Sequence, residues 1–113
     1  MTHRYCFALD LKDDPQSIAE YREHHREIWP EIARSIKDTG VDNMEIYLTG
    51  NRLVMILEAG PAFSLELKAK ADLSNTKVQE WEHLMSRYQQ PLPHARAGEK
   101  WLLMERIFKL EAS

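Results

Sequence analysis

Two short apolar runs, Tyr5 to Leu11 and Leu53 to Leu57, constrain this chain more than any other feature. Neither alternates cleanly between apolar and polar residues, so each reads as a strand buried on both faces rather than half-solvated. A chain of 113 residues supports one hydrophobic core and no separate second domain, so residues 1–113 are read as a single domain. The remaining segments must cover one face of the resulting sheet, and something further must cover the other.

The segments between the runs carry their own punctuation. Asp14 stands where a helix N-cap belongs, with Pro15 at the first helical position, and the helical pattern continues to Gly40. Pro30 interrupts it: proline has no amide proton and biases Trp29 away from helical angles, which predicts a kink or restart there. Met44, Ile46 and Leu48 then alternate with Glu45 and Tyr47, and Thr49, Gly50 and Asn51 supply the turn of a hairpin into Leu53 to Leu57. A second helical region opens at Pro61, halts between Leu73 and Asn75, and restarts at Thr76 with Gln79 at capping-box spacing. After the loop containing Pro91, Pro93 and Gly98, Leu102 to Leu110 reads as the last strand, with Trp101 in the strand core.

The order strand, helix, strand, strand, helix, strand predicts an α+β, ferredoxin-like βαββαβ fold with an antiparallel sheet. Its helices cover one face only. A second copy packed sheet to sheet about a two-fold axis, in a dimeric α/β-barrel-type assembly, is the economical cover for the other, so the expected state is a homodimer.

Within the first helix, Tyr21 and His25 lie one turn apart on the stripe of Ile18, Ile28 and Ile32, where a core-facing helix should be purely apolar. A histidine titrates near neutrality and can both take and give a proton, which makes this pair the first candidate for chemistry. The plain alternative is a satisfied core histidine beside a packing tyrosine. His24 points about 100° away and is expected on a solvated face with Glu20, Glu23 and Glu27. Trp81, on the stripe of Val78, Met85 and Tyr88, is either core packing or a platform for the C–H face of a sugar. Glu82 is either a surface carboxylate or an acceptor for the hydroxyls of a polyol, and Trp29 either walls the pocket or meets the partner chain.

Other classes are disfavoured by what the chain lacks. It has 18 acidic against 15 basic side chains and no basic stripe, so no nucleic-acid partner is expected. Glycine-rich phosphate loops, paired CxxC, HExxH and GxSxG are missing; a metal site could be assembled from His25, His83 and a carboxylate, but no spacing demands it. With one cysteine, Cys6, read as a buried thiol, and no membrane-length apolar stretch, a cytoplasmic protein that does not engage a membrane is expected.

YREHHREIWPEI at 21–32, NMEIYL at 43–48, QEW at 79–81 and MERIFKL at 104–110 together resemble the L-rhamnose mutarotases across most of the chain. The resemblance implies a dimeric ferredoxin-like domain that interconverts the α and β anomers of a free monosaccharide, with no cofactor and no metal. It also implies that His25 is the proton donor and that Tyr21 and Trp81 contact the sugar. Two sugar-binding positions depart from the family pattern: Met44 stands where a tyrosine is expected, and Glu82 where a second tryptophan is. The departures bear on the substrate, so L-fucose, a 6-deoxy sugar with differently oriented hydroxyls, competes with L-rhamnose on the same fold. A cofactor-free monooxygenase-like enzyme and a non-catalytic sugar-binding protein are the readings from other classes.

Overall fold

A computed structural model describes residues 3–111. Strand β1 (His3–Leu11) leads into helices α1 (Pro15–His24) and α2 (Pro30–Asp38), then strands β2 (Val41–Thr49) and β3 (Arg52–Ala59). Helices α3 (Leu65–Leu73) and α4 (Thr76–Ser86) follow, with two-residue strands β4 (Gln89–Gln90) and β5 (Leu102–Leu103) at the end. The sheet is antiparallel in the order β2-β3-β1-β4, with β5 also pairing to β1. This is the ferredoxin-like α+β arrangement, its fourth strand reduced to two short pieces on the same edge of β1.

Most of the punctuation acts as the sequence predicts. Asp14 caps α1 by accepting from the Ser17 amide at 3.2 Å and from its hydroxyl at 2.8 Å, with Pro15 at the first position. Trp29 adopts the extended conformation that Pro30 imposes, and the break there separates α1 from α2. Gly40 ends α2 with φ of 95°, and Gly50 turns the β2–β3 hairpin with φ of 57°, which fits the first central position of a type II′ turn. The cap of α4 falls one residue earlier than the capping-box reading: the Asn75 side chain accepts from the Lys77 and Val78 amides, while Gln79 donates to the Asp72 carbonyl instead of reaching back.

The pleat assigns each side chain to a face. Tyr5, Phe7, Leu9 and Leu11 of β1 lie on the helix side with Leu53, Met55 and Leu57 of β3 and Met44, Ile46 and Leu48 of β2, as the cross-strand pairs require. There the core splits into two clusters. One gathers Leu11, Tyr21, Ile32, Leu53, Val78, Trp81, Met85 and Tyr88; the other gathers Val41, Leu57, Ala59 and Phe63. Met55 and Ile46 fall between the Leu53 end and the Leu57 end of the sheet, and that gap is where the cavity described below sits.

The opposite face carries Cys6, Ala8, Val54, Ile56 and Tyr47, so β1 and β3 are indeed apolar on both sides. Cys6 is only half-buried there rather than fully enclosed. At one end of this face Asp10, buried on folding, is held by Arg52 through two bonds of 2.8 and 3.1 Å, and the carboxylate raises the already high pKa of the guanidinium.

The last strand is far shorter than Leu102 to Leu110. The Met104 amide donates to the Cys6 carbonyl at 2.7 Å, and there the chain leaves the sheet. With Leu103 opposite Phe7, a continued register would bring Ile107 to His3, so Phe108 to Leu110 have no partner residue in β1. Ile107, Phe108 and Leu110 are left 90, 74 and 86 % exposed.

Candidate functional site

Tyr21 closes the last turns of α1 from inside the core, and His25 is the residue on which that helix ends. The final carbonyls of a helix have no partner within it. The His25 ring supplies one: its Nδ1–H donates to the Tyr21 carbonyl at 2.8 Å. A carbonyl can only accept, so the neutral ring carries its proton on Nδ1 and keeps a lone pair on Nε2. Burial pushes the His25 pKa below 6.5 against the opposing backbone bond, and neighbouring His24 lowers it further. Burial also raises the Tyr21 phenol above 10, partly offset by a hydrogen bond with Gln89. At neutral pH the site therefore holds a free imidazole base next to a phenol that keeps its proton. The two rings lie 4.3 Å apart, tilted by 32°.

Trp81 presents its edge to His25 at 5.5 Å and to Trp29 at 5.2 Å. This shelf fixes the imidazole from the side of α4. Trp29 stands behind Trp81, with Lys77 over its ring at 5.9 Å, and is not among the residues that wall the cavity, contrary to the expected pocket role. His24 also departs from expectation. Instead of facing solvent among glutamates, it is half-buried, with Nε2 3.2 Å from the Tyr88 hydroxyl, which donates in turn to Glu20.

The cavity holds about 340 Å³, at the small end of the usual range for small-molecule sites. Tyr21, His25, Met44, Trp81 and Glu82 all line it, so five of the six sequence candidates converge. Met44, Ile46 and Met55 form a sheet floor between the two core clusters, and Trp101, just ahead of β5, completes a wall. A second, more open groove of about 420 Å³ reaches Tyr21 and His25 from the other side, past Arg22 and Arg26. Among the described residues, no three His, Cys, Asp or Glu side chains are gathered in a way that could hold a metal ion.

Sequence reasoning missed the polar end of this cavity. Lys68 and Asp72 of α3 enter the lining as an ion pair of 2.7 Å, and Lys100 arrives from the loop before β5. Glu82 lies on the exposed rim of α4; desolvation first, then the Asp72 carboxylate, raise its pKa, while Lys100 and Lys68 pull the other way. The available signal was the spacing of Leu65, Lys68 and Asp72 at i, i+3 and i+7, which shares one helix face.

Fold and cavity together define a small α+β domain with a histidine and a tyrosine side by side in the wall of a ligand-sized cavity. The model of the L-rhamnose mutarotase family matches residues 4–110, and the chain belongs to that family of isomerases. An L-fucose mutarotase from Xanthomonas campestris is 42 % identical over 109 residues, covering 95 % of this chain and 87 % of that protein. Among solved structures, an L-rhamnose mutarotase from Formosa agariphila superposes with a TM-score of 0.70 at 24 % identity, covering 96 % of this chain and 99 % of the other. A tetracenomycin F2 cyclase from Streptomyces glaucescens, a type-II polyketide cyclase, superposes at 0.62 and 18 % identity over 98 and 99 % of the two chains. At these identities the two superpositions establish the fold alone.

Proposed function

We propose that the protein interconverts the α and β anomers of a free 6-deoxy-hexose through acid–base opening and closing of the ring. The observation that carries this reading is the Nδ1–H bond of His25 to the Tyr21 carbonyl, which leaves Nε2 as a base inside a cavity of sugar size. Nε2 takes the proton from the anomeric hydroxyl as the bond between C1 and the ring oxygen breaks. The bonding pair goes to the ring oxygen, C1 becomes an aldehyde, and the imidazolium returns its proton to that oxygen. Rotation about C1–C2 and the reverse sequence close the ring on the other face, with no net proton change. Tyr21, held protonated by burial, donates to a neighbouring oxygen, and Trp81 and Met44 pack against the apolar surface of the ring. Assistance of this kind contributes ~10²–10⁴-fold, enough for a reaction that already proceeds in water. His25 thus becomes a proton donor only after acting as an acceptor.

The family points to L-rhamnose, while the Xanthomonas relative, matched over nearly the whole chain, is named for L-fucose. The departures at Met44 and Glu82 favour this second reading on the same fold. We further propose a homodimer in the cytoplasm. The apolar outer sheet face and the exposed tail with Ile107, Phe108 and Leu110 support the dimer, and the free half-buried thiol of Cys6 suits a reducing compartment.

The test is two-dimensional exchange NMR on L-rhamnose, L-fucose and D-glucose. Acceleration of α/β exchange for at least one 6-deoxy sugar, well above that for glucose, is expected. Exchange no faster than in buffer for all three would sink the reading and leave sugar binding without turnover, or unrelated chemistry on the same fold.

A further inference from the structure

Helix α3 is built inside out. Its less exposed face consists of Leu65, Lys68 and Asp72, while Leu67 and Leu73 are 61 and 74 % exposed. The side chains of Lys68 and Asp72 retain only 18 and 20 % of their exposure, so two charges have been largely desolvated where leucines one position away were available. Helix stability does not ask for this pair. With lysine preceding the acid by four residues and the acid in the last turn, it has the less favourable orientation against the helix dipole. The exposed pair on the same helix, Glu66 with Lys70, has the favourable one.

The cavity accounts for the inversion. Lys68 and Asp72 line the end toward α3, with Glu82 on the rim from α4 and Lys100 from the last loop. The four groups sum to no net charge and supply two donors and two acceptors: an ammonium only donates, a carboxylate only accepts. Each hydroxyl of a sugar does both, so a vicinal pair of hydroxyls satisfies such a cluster where water would otherwise have to. With no net charge, the cluster gives an anionic sugar no electrostatic advantage over a neutral one.

We propose that Lys68, Asp72, Glu82 and Lys100 form a specificity pole that reads the hydroxyl pattern of a neutral monosaccharide, at the end of the cavity away from Tyr21 and His25. This rests on the mutarotase reading and deepens it by assigning discrimination to α3. L-rhamnose and L-fucose differ in the orientation of the hydroxyls at C2 and C4, so a cluster of fixed donors and acceptors can tell them apart.

The experiment pairs two double variants: Lys68→Met with Asp72→Leu, which removes both charges together, and Glu66→Leu with Lys70→Met, which removes the exposed pair of the same helix. For each, saturation-transfer NMR measures the affinity for L-fucose, L-rhamnose and D-glucuronate, and exchange NMR measures turnover separately. The cavity variant should weaken binding of the preferred 6-deoxy sugar about tenfold or more and compress the fucose-to-rhamnose ratio to near unity, with turnover of bound sugar nearly unchanged. The exposed-pair variant should keep the wild-type ratio within about twofold. A ratio unchanged in the cavity variant, an equal change in both variants, or loss confined to glucuronate overturns the proposal. Should the cavity variant fail to fold, Glu82→Gln on the rim is read by the same ratio, and an unchanged ratio there overturns it equally. A wild-type protein that binds and discriminates the two sugars without speeding exchange would defeat the mutarotase reading alone.

Discussion

Helices α1 and α3 both break the rule that the inner face of a helix is apolar, and they break it differently. In α1 the intruders are Tyr21 and His25, aromatic side chains that still join or border the main core. In α3 they are Lys68 and Asp72, which join neither core cluster. An aromatic polar residue carries an apolar body and one polar tip, so it can be buried and aimed at the same time. A charged pair can be kept from water only by its own bond and by a ligand. The first arrangement suits a group that must be held in one tautomer, and the second suits a surface that must discriminate.

The comparison breaks most decisively at His25. His25→Ala should lower the rate of anomer exchange by ~10²–10⁴-fold for every sugar the protein accepts, while the relative preference among sugars stays as it was. Exchange NMR on a panel of sugars reads both quantities, with thermal unfolding as the check that the fold persists. A variant that kept full exchange, or that lost it for one sugar only, would move the chemistry away from α1.

Tyr21→Phe is milder because it keeps the aromatic body in the core and deletes only the hydroxyl. Loss of one hydrogen bond to a developing charge is worth roughly 1.5–3 kcal/mol, so a fall of about ten- to a hundredfold in kcat/KM is expected. A larger fall, matching that of His25→Ala, would make Tyr21 an obligatory proton carrier.

The pH profile sharpens the same contrast. Because the folded His25 pKa lies below 6.5, the free base persists to more acidic pH than for an exposed histidine, and kcat/KM should be flat through neutrality, falling only on the acid side with a midpoint below 6.5. The sign for stability is the same. Unfolding releases the depressed pKa, so His25 contributes fully above its unfolded value, and the contribution is lost as pH falls from there through the lower folded pKa. A midpoint above 6.5 would mean that the site favours the charged ring, and the role of His25 as a resting base would fail.

How much of this was legible in the sequence follows the same division. Periodicity reports which residues face a core, so it located the first three strands and the Tyr21/His25 and Trp81 faces, all of which sit on apolar stripes, while the chemistry of Pro30 marked the break between α1 and α2. It could not locate Lys68 and Asp72, because a charged pair at helical spacing reads as a solvated surface until coordinates show its neighbours. His24 went astray for a related reason: only the fold brings Tyr88, 64 residues later, to its ring. The tail failed in another way. Met104 to Leu110 has strand composition, but composition does not fix pairing: the chain leaves β1 after Leu103, and Phe108 to Leu110 would have no partner in β1 even in a continued register.

The smallest expected effect tests whether the chemistry of α1 depends on the whole helix or only on its last turn. Asp14→Ala removes the side chain that caps the Ser17 amide, about two turns before Tyr21 and on the exposed end of the helix. Loss of such an exposed cap is a small destabilisation. Tyr21 and His25 are anchored separately, through the core cluster, the Nδ1 bond to the Tyr21 carbonyl and the edge of Trp81. The thermal midpoint should therefore drop by a few degrees for a domain of this size while exchange at 25 °C stays within about twofold of wild type. A larger loss of exchange than of stability would show that the imidazole is positioned through the helix axis, and the site on α1 would then be as dependent on remote helix structure as the ion pair on α3.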